Sequence, residues 1–248
     1  MLNTRTLLVT GVVAYIVCLL ILFPLSGFQK GLTSAVAPIM QVQSIEGSIW
    51  SADMSYQAHD LPSTLQQGQL EWGMSIVPLF WLNVGGTIKA THPGLSLEGL
   101  ISAGVDSLSI SGLEGVVEAR FLNQILNQQQ AGAQVAGELL LDELSVFFER
   151  STRQFEKVEG QLLYEGGRAT IQRGSSRKNI TLPALVGHFS LADDGLQLEV
   201  MLQTSDQVLV TVKLKNDGWG ELAVSKAFFK AIGQSDLISD VNVKQKIF

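Results

Sequence analysis

The chain has 248 residues, of which 46% are apolar and 16% are charged, and its formal net charge is −6. This length fits one membrane span followed by one domain of ordinary size. An acidic domain without a basic face is unsuited to nucleic acid, because binding to phosphates needs clustered Lys and Arg. The only cysteine, Cys18, allows no internal disulfide and no thiolate metal site. Packing and strand pairing must therefore hold the domain together.

The stretch that begins at Leu7 and ends at Leu25 contains nineteen residues without a charge. As a helix it is about 28 Å long, close to the thickness of the bilayer core. A signal peptide is the alternative, but its apolar region is usually shorter and ends in a small-x-small cleavage site. The following residues, Pro24-Leu25-Ser26-Gly27-Phe28, contain no such site. The sequence therefore predicts an uncleaved transmembrane anchor.

The orientation of this anchor follows from the few charges around it. Arg5 is the only Lys or Arg before Lys30, and long domains translocate largely regardless of charge. We therefore expect residues 1–26 to form a cytoplasmic tip and the transmembrane anchor. Residues 27–248 are expected to form a β-rich domain in the periplasm of a Gram-negative cell, so the predicted location is the inner membrane, crossed once.

One short pattern, apolar-x-Gly-x-apolar, recurs along the rest of the chain. In a strand, the two apolar residues and the glycine between them lie on one face, because side chains alternate with a period of two. The glycine lets another backbone approach or permits a bulge that curves the sheet. The copies are centred on Gly47, Gly86, Gly115, Gly137, Gly160 and Gly187. Their irregular spacing does not fit a solenoid and indicates about one antiparallel hairpin per interval.

Alternation of apolar and polar residues predicts two further strands, at 196–202 and 208–214. Turn sequences flank them, Asp193-Asp194-Gly195 before and Asn216-Asp217-Gly218 after. Helical spacing of apolar residues occurs at 119–130 and 225–232. The predicted fold class is therefore mainly β, with a single N-terminal transmembrane helix followed by a curved antiparallel β-sheet of successive hairpins and one or two short helices.

The sequence contains no recognisable catalytic or metal-binding motif. His59, His92 and His188 are far apart, and none has the spacing of metal ligands. Nucleophile elbows, phosphate-binding loops and H-E-x-x-H are absent. Asp193 and Asp194 precede a glycine, which is typical of a turn rather than of acid–base catalysis. We therefore expect no enzyme activity, no catalytic residue, no cofactor and no metal.

One local basic cluster remains, formed by Arg168, Arg173, Arg177 and Lys178. A solvated hairpin tip explains such a cluster. The alternative is contact with anionic lipid headgroups or with an acidic partner.

Three of the four tryptophans lie early in the domain, at Trp50, Trp72 and Trp81. The order of the anchor, then Ile45-Glu46-Gly47-Ser48-Ile49-Trp50-Ser51-Ala52, then Leu70-Glu71-Trp72 and the apolar Pro78-Leu79, resembles protein N of the type II, or general, secretion pathway. The resemblance covers the whole layout, and its specific part is residues 45–90. Where the family pattern has a glycine two places after the first tryptophan, this chain has Ala52.

The resemblance implies a non-enzymatic accessory subunit of the machine that exports folded proteins across the outer membrane. Such a subunit is anchored in the inner membrane and contacts other secretion subunits in the periplasm, for which open sheet edges are suitable. The family implies no catalytic residues. Gly47, Trp50 and Trp72 are the candidate residues, either for packing of the first hairpins or for contact with a partner.

A lipid-handling protein is the alternative function. An anchored chain of glycine-punctuated hairpins is also similar to AsmA-like lipid-transfer proteins, which are longer. A continuous apolar groove open at both ends would favour lipid, whereas a filled core would favour contacts with proteins.

Overall fold

The computed structural model describes residues 33, 40–48, 50–58, 66–75, 83–128, 132–173, 176–233 and 240–246. The anchor predicted between Leu7 and Leu25 and the boundary predicted at residue 26 lie outside these residues, as do His59 and Trp81. Among the helices of the described part, none is long and apolar enough to cross a membrane.

The described residues form one large antiparallel sheet of thirteen strands. In their order across the sheet, these are β1 (Met40–Gly47), β2 (Ser51–Ala58), β3 (Gln67–Ser75), β4 (Val84–His92), β5 (Leu95–Ala103), β6 (Ser107–Glu118), β8 (Glu138–Glu149), β9 (Gln154–Tyr164), β12 (Leu185–Ala192), β13 (Gly195–Leu202), β14 (Ser205–Lys215), β15 (Trp219–Val224) and β16 (Val241–Lys246). Most neighbours in the sheet are also neighbours in the chain, which confirms the predicted succession of antiparallel hairpins.

A second, three-stranded sheet is formed by two excursions of the chain from this meander. Its strands, in sheet order, are β11 (Ser176–Leu182), β10 (Gly167–Arg173) and β7 (Ala133–Val135). Helix α1 (Ala119–Gln128) and β7 leave the large sheet between β6 and β8, and β10 and β11 leave it between β9 and β12. We call α1, β7, β10 and β11 the covering module. A second helix, α2 (Lys226–Ala231), lies between β15 and β16.

The two faces of the large sheet differ in polarity. Strand pairing places Ala52, Trp72, Ile88 and Gly99 in one row across β2 to β5. The adjacent row on the opposite face contains Asp53, Glu71, Lys89 and Glu98. None of the paired residues on the first side of the sheet is charged. We call the first side the apolar face and the second side the polar face.

The glycine pattern predicts four strands correctly. Gly86, Gly115, Gly160 and Gly187 lie inside β4, β6, β9 and β12, on the apolar face. The expected close approach of backbones is also present, since a Cβ on Gly160 would lie 2.6 Å from the Cα of Leu144. The copy around Gly137 is wrong as a single strand. That glycine has φ +102° and separates β7 from β8, because the chain turns there from the small sheet into the large one.

The predicted C-terminal strands and both helices are confirmed, with ends that differ from the prediction by at most three residues. Strands β13 and β14 contain the alternating segments, and the turn sequences that flank them lie between strands. Helices α1 and α2 are slightly shorter than predicted. The pairing register shifts in five pairs of the described strands. Bulges of this kind bend strands, so the sheet has the local features that produce curvature.

Deep burial is rare in the described part of the chain. The buried apolar residues there are Ala52, Met54, Tyr56, Val158, Tyr164, Ala169, Ile180 and Leu209. Other residues of the apolar face are exposed, and Leu191 and Val243 have 47% and 49% of their surface accessible. The described residues therefore cover the apolar face in part.

Candidate interaction surfaces

The first candidate surface is the hairpin of β1 and β2. Gly47 ends β1 with φ +110°, a conformation that L side chains rarely adopt. A Cβ there would also overlap the carbonyl oxygen of Ser51. The Ser48 backbone N–H donates to that same oxygen at 2.8 Å, and the Ser48 hydroxyl accepts from the N–H groups of Trp50 and Ser51 at 3.3 Å. The turn therefore requires glycine at position 47.

Two of the three candidate residues lie in one row of the apolar face. Gly47 pairs with Ala52, and Ala52 pairs with Trp72. Ala52 is 4% exposed between them, and its methyl would lie 3.2 Å from a Cβ on Gly47. The small residues at 47 and 52 thus continue the row in which Trp72 lies, and the Trp72 side chain is half-buried. Trp50 is half-buried in the turn itself, and its carbonyl accepts a hydrogen bond from the N–H of Met74. Their contact with a partner remains a prediction.

A buried polar contact connects the first hairpins to α1. Tyr56 Oη and His92 Nε2 share a hydrogen bond of 2.7 Å, and the His92 ring meets the Phe121 ring edge-on at 6.3 Å between centroids. A Cβ on Gly68 would lie 2.5 Å from His92 Nε2, so only glycine fits below this pair. Burial raises the pKa of Tyr56 above its ordinary value. His92 therefore packs within the fold.

The two edge strands of the large sheet differ in charge. Within the described residues, β1 pairs with β2 alone and β16 with β15 alone. Strand β1 contains one charged residue, Glu46. Strand β16 contains Lys244 and Lys246. Lysines on an edge strand disfavour the addition of another strand, so β1 is the less protected edge.

Ion pairs fasten the last strands on the polar face. Lys215 Nζ lies 2.8 Å from Asp194 Oδ2 and 3.1 Å from Glu221 Oε1, and Lys244 Nζ lies 2.8 Å from the same Glu221 oxygen. Its hydrogen bond with Lys215 lowers the pKa of Asp194, and hydrogen bonds with Lys244 and Lys215 lower the pKa of Glu221. The hydrogen bonds to Asp194 and Glu221 raise the pKa of Lys215. Asp194 thus belongs to a turn and an ion pair, not to a catalytic pair.

An acidic cavity of about 530 Å³ opens near the bulges of β6, β8 and β9. Carboxylate side chains and one histidine line it, namely Glu114, Asp142, Glu143, Glu159 and His188. No group of three or more His, Cys, Asp or Glu in the described part has a geometry that could hold a metal ion.

A second cavity, of about 250 Å³, lies between the covering module and the apolar face. Its lining comes from α1, β7 and β11 on one side and from β8, β9, β12 and β13 on the other. The residues are Leu122, Val135, Leu139, Leu162, Tyr164, Leu182, Leu185, Gly187 and Val200. Of these strands the sequence predicts β9, β12 and β13, and no local pattern indicates that the two excursions meet above the sheet.

Hydrogen bonds of two side chains stabilise the covering module, Asn123 within the module and Tyr164 between the module and the large sheet. Asn123 of α1 donates from Nδ2 to the carbonyl of Val135 at 2.7 Å and accepts from the N–H of Val135 at 2.6 Å. Tyr164 of β9 donates from its hydroxyl to the carbonyl of Ala136 at 2.7 Å, and burial raises the pKa of this tyrosine. The basic residues Arg168, Arg177 and Lys178 belong to the β10–β11 hairpin of the same module.

The family model of the type II secretion system protein N matches residues 38–237. The chain belongs to this protein N family. The match includes residues 45–90, which carry the resemblance to the family, and it also includes the covering module. Comparison with curated proteins and with solved structures gave no match. Membership makes the chain a secretion-system accessory subunit and implies interaction with other subunits of that system.

Proposed function

We propose that this chain is a non-enzymatic accessory subunit of the type II secretion system, anchored in the inner membrane through Leu7 to Leu25 and acting by protein contacts in the periplasm. The family match supports the role in secretion. The nineteen uncharged residues support the anchor. The open edge at β1 is the single observation that supports contact through the sheet.

Strand β1 is suited to pairing with an extended segment of another subunit. An edge strand presents a row of backbone N–H and C=O groups, and a partner strand gains affinity by pairing with them. Strand β1 begins at Met40, fifteen residues after Leu25. A linker of that length spans at most about 50 Å. The proposed contact therefore lies close to the membrane, where other anchored subunits are accessible.

Deletion of the gene tests the secretion role directly. We expect exoproteins to accumulate in the periplasm, and the full chain supplied in trans to restore their export. Normal export in the deletion strain would contradict the proposal.

Complementation with two matched double variants tests the edge. Gln41→Lys with Gln43→Lys places two cations on β1, whereas Gln67→Lys with Gln69→Lys places them on the interior strand β3. All four glutamines are exposed. We expect the β1 variant to restore export less well and the β3 variant to match the unmodified chain. Equal restoration by both would show that β1 does not receive a partner.

Replacement of residues 1–26 by a cleavable signal peptide tests the anchor. We expect the resulting chain to be released with the soluble periplasmic fraction and to restore export poorly. The full chain should remain with the inner membrane, and its domain should be digested by protease in spheroplasts but not in intact cells. Protection of the domain in spheroplasts would reverse the proposed orientation.

A further inference from the structure

The cavity beneath the covering module is enclosed by hydrocarbon on both sides. Leu122, Val135 and Leu182 form its wall on the module side, and the side chains of the apolar face form the opposite wall. No polar atom of the described residues is exposed on these walls. The one polar side chain among them, Tyr164, has its hydroxyl bonded to the carbonyl of Ala136.

The apolar lining favours a hydrocarbon ligand over a peptide. A peptide would bring backbone N–H and C=O groups into a site that offers them no partner, and burial of an unpaired polar group costs free energy. A hydrocarbon chain has no such groups. Dry apolar cavities of about 150 Å³ already bind small apolar molecules. The 250 Å³ here would hold about eight water-sized groups.

Uncharged residues of the apolar face continue beyond the cavity, and one charged side chain, Lys178, lies near it on β11. The paired residues of the apolar face carry no charge on either side of the cavity. On β11, Leu182 lines the cavity, Ile180 is buried, and Lys178 follows on the same face of the strand. Four residues of strand place the Lys178 backbone about 13 Å from that of Leu182.

We infer that the cavity binds an acyl chain of an anionic membrane phospholipid, with Lys178 at the headgroup end. The uncharged walls match the chain, and the ammonium group matches the phosphate. This site is independent of the proposed contact at β1, so either can fail without the other.

Photocrosslinking in cells tests the inference on the full chain. p-Benzoylphenylalanine replaces Leu122, which lines the cavity, or Asn127, which is exposed on the same helix. Cells are labelled with ³²P-phosphate or with ¹⁴C-acetate, irradiated, and the chain is purified under denaturing conditions. We expect both labels to be retained at position 122, at least tenfold above position 127. Equal labelling at the two positions, or none at 122, would overturn the inference.

The two labels also distinguish a phospholipid from a free fatty acid as the source of the bound acyl chain. Retention of both shows a phospholipid. Retention of carbon without phosphorus shows a free fatty acid and overturns the assignment of a phospholipid.

Adjacent residues of β11 provide matched controls, because they lie on opposite faces of the strand. Leu182→Glu puts a carboxylate in the cavity wall, whereas Thr181→Glu puts it in solvent. Lys178→Glu reverses the charge at the headgroup end, whereas Arg177→Glu reverses it on the other face. We expect crosslinking at position 122 to fall about tenfold in Leu182→Glu and severalfold in Lys178→Glu, and to be unchanged in the two controls. Limited proteolysis of each variant monitors folding. Undiminished crosslinking in a folded Leu182→Glu chain would contradict the site.

Discussion

The C-terminal meander and the covering module of this chain are both β-structure, but different contacts specify them. Strands β12 to β16 each pair with the next along the chain; short turns join β12 to β15, and a longer connection that contains α2 leads to β16. In the module, β7 pairs with β10, and more than thirty residues separate Ala133 from its partner Ile171. The meander is therefore specified locally, and the module by contacts between distant segments.

This difference predicts different responses to mutation. Loss of one contact in a locally specified hairpin leaves the neighbouring hairpins intact. The module has few fastenings, chiefly Asn123, Tyr164 and the turn at Gly137. We therefore expect it to open as a unit while the large sheet persists, a behaviour known from local unfolding in other proteins.

The largest effect is expected from Gly137→Ala. This residue has φ +102°, and an added Cβ would lie 2.8 Å from the Tyr164 ring. We expect a loss of about 3 kcal/mol in the free energy that keeps the module closed, because positive φ costs about 1–2 kcal/mol and the overlap adds to it. Hydrogen exchange should show lost protection in β7 and β10 and retained protection in β13 and β14.

Gly112→Ala is the control for this substitution. Gly112 also has positive φ, +56°, but nothing lies within 4 Å of its Cβ position. It should cost only about 1 kcal/mol. If Gly137→Ala reduces protection in β13 and β14 as much as in β7 and β10, the module and the meander unfold together.

Asn123→Ala should have the next largest effect. It removes both partners of the Val135 backbone, and we expect a loss of about 2 kcal/mol because those groups remain poorly satisfied. Urea denaturation, followed by amide exchange at β7, measures this loss. Asn127→Ala, in the same helix but exposed, should change stability by less than about 0.5 kcal/mol. A similar loss of stability in the two variants would show that Asn123 does not stabilise the module.

Tyr164→Phe should change how the stability of the protein depends on pH. The hydroxyl bond to Ala136 contributes about 1 kcal/mol. Burial raises the pKa of Tyr164 above its ordinary value of 10.0. The folded state thus keeps the phenolic proton where the unfolded state releases it, and stability falls as the pH rises above 10. Melting temperatures from pH 7 to 11 should fall less steeply in the variant, because the contribution of Tyr164 is then absent while those of Tyr56 and Lys215 remain. Identical slopes would contradict it.

The smallest effect is expected in the meander, from Lys215→Met. Its ion pairs with Asp194 and Glu221 are partly exposed to solvent, and pairs near the surface contribute little and are screened by salt. The lowered pKa values of the two carboxyls predict stability that is present above pH 4.5 and lost as the pH falls further. The variant should show a weaker acid dependence than Lys230→Met on α2. If stability falls with decreasing pH equally in both variants, the ion pairs of Lys215 do not contribute to it.

Several strands of the large sheet, such as β4, β9, β12, β13 and β14, were predictable because their signals are local. Val84, Gly86 and Ile88 lie on one face of β4 as their spacing predicts, and Asp193-Asp194-Gly195 forms the turn before β13. The roles of Gly47 and Trp72 were visible only in part. The sequence indicates a tight first hairpin, but the pairing that places Ala52 between these two residues depends on the register of three strands.

Sequence patterns predict much of the hairpin meander, its apolar and polar faces, the two short helices and the family. These follow from periods of two and 3.6 residues, from turn residues and from a motif within residues 45–90. In contrast, α1, β7, β10 and β11 meet above the apolar face and enclose a cavity through tertiary contacts that no local pattern predicts. Short strands such as Ala133–Val135 have little preference of their own, and their position depends on a partner more than thirty residues away.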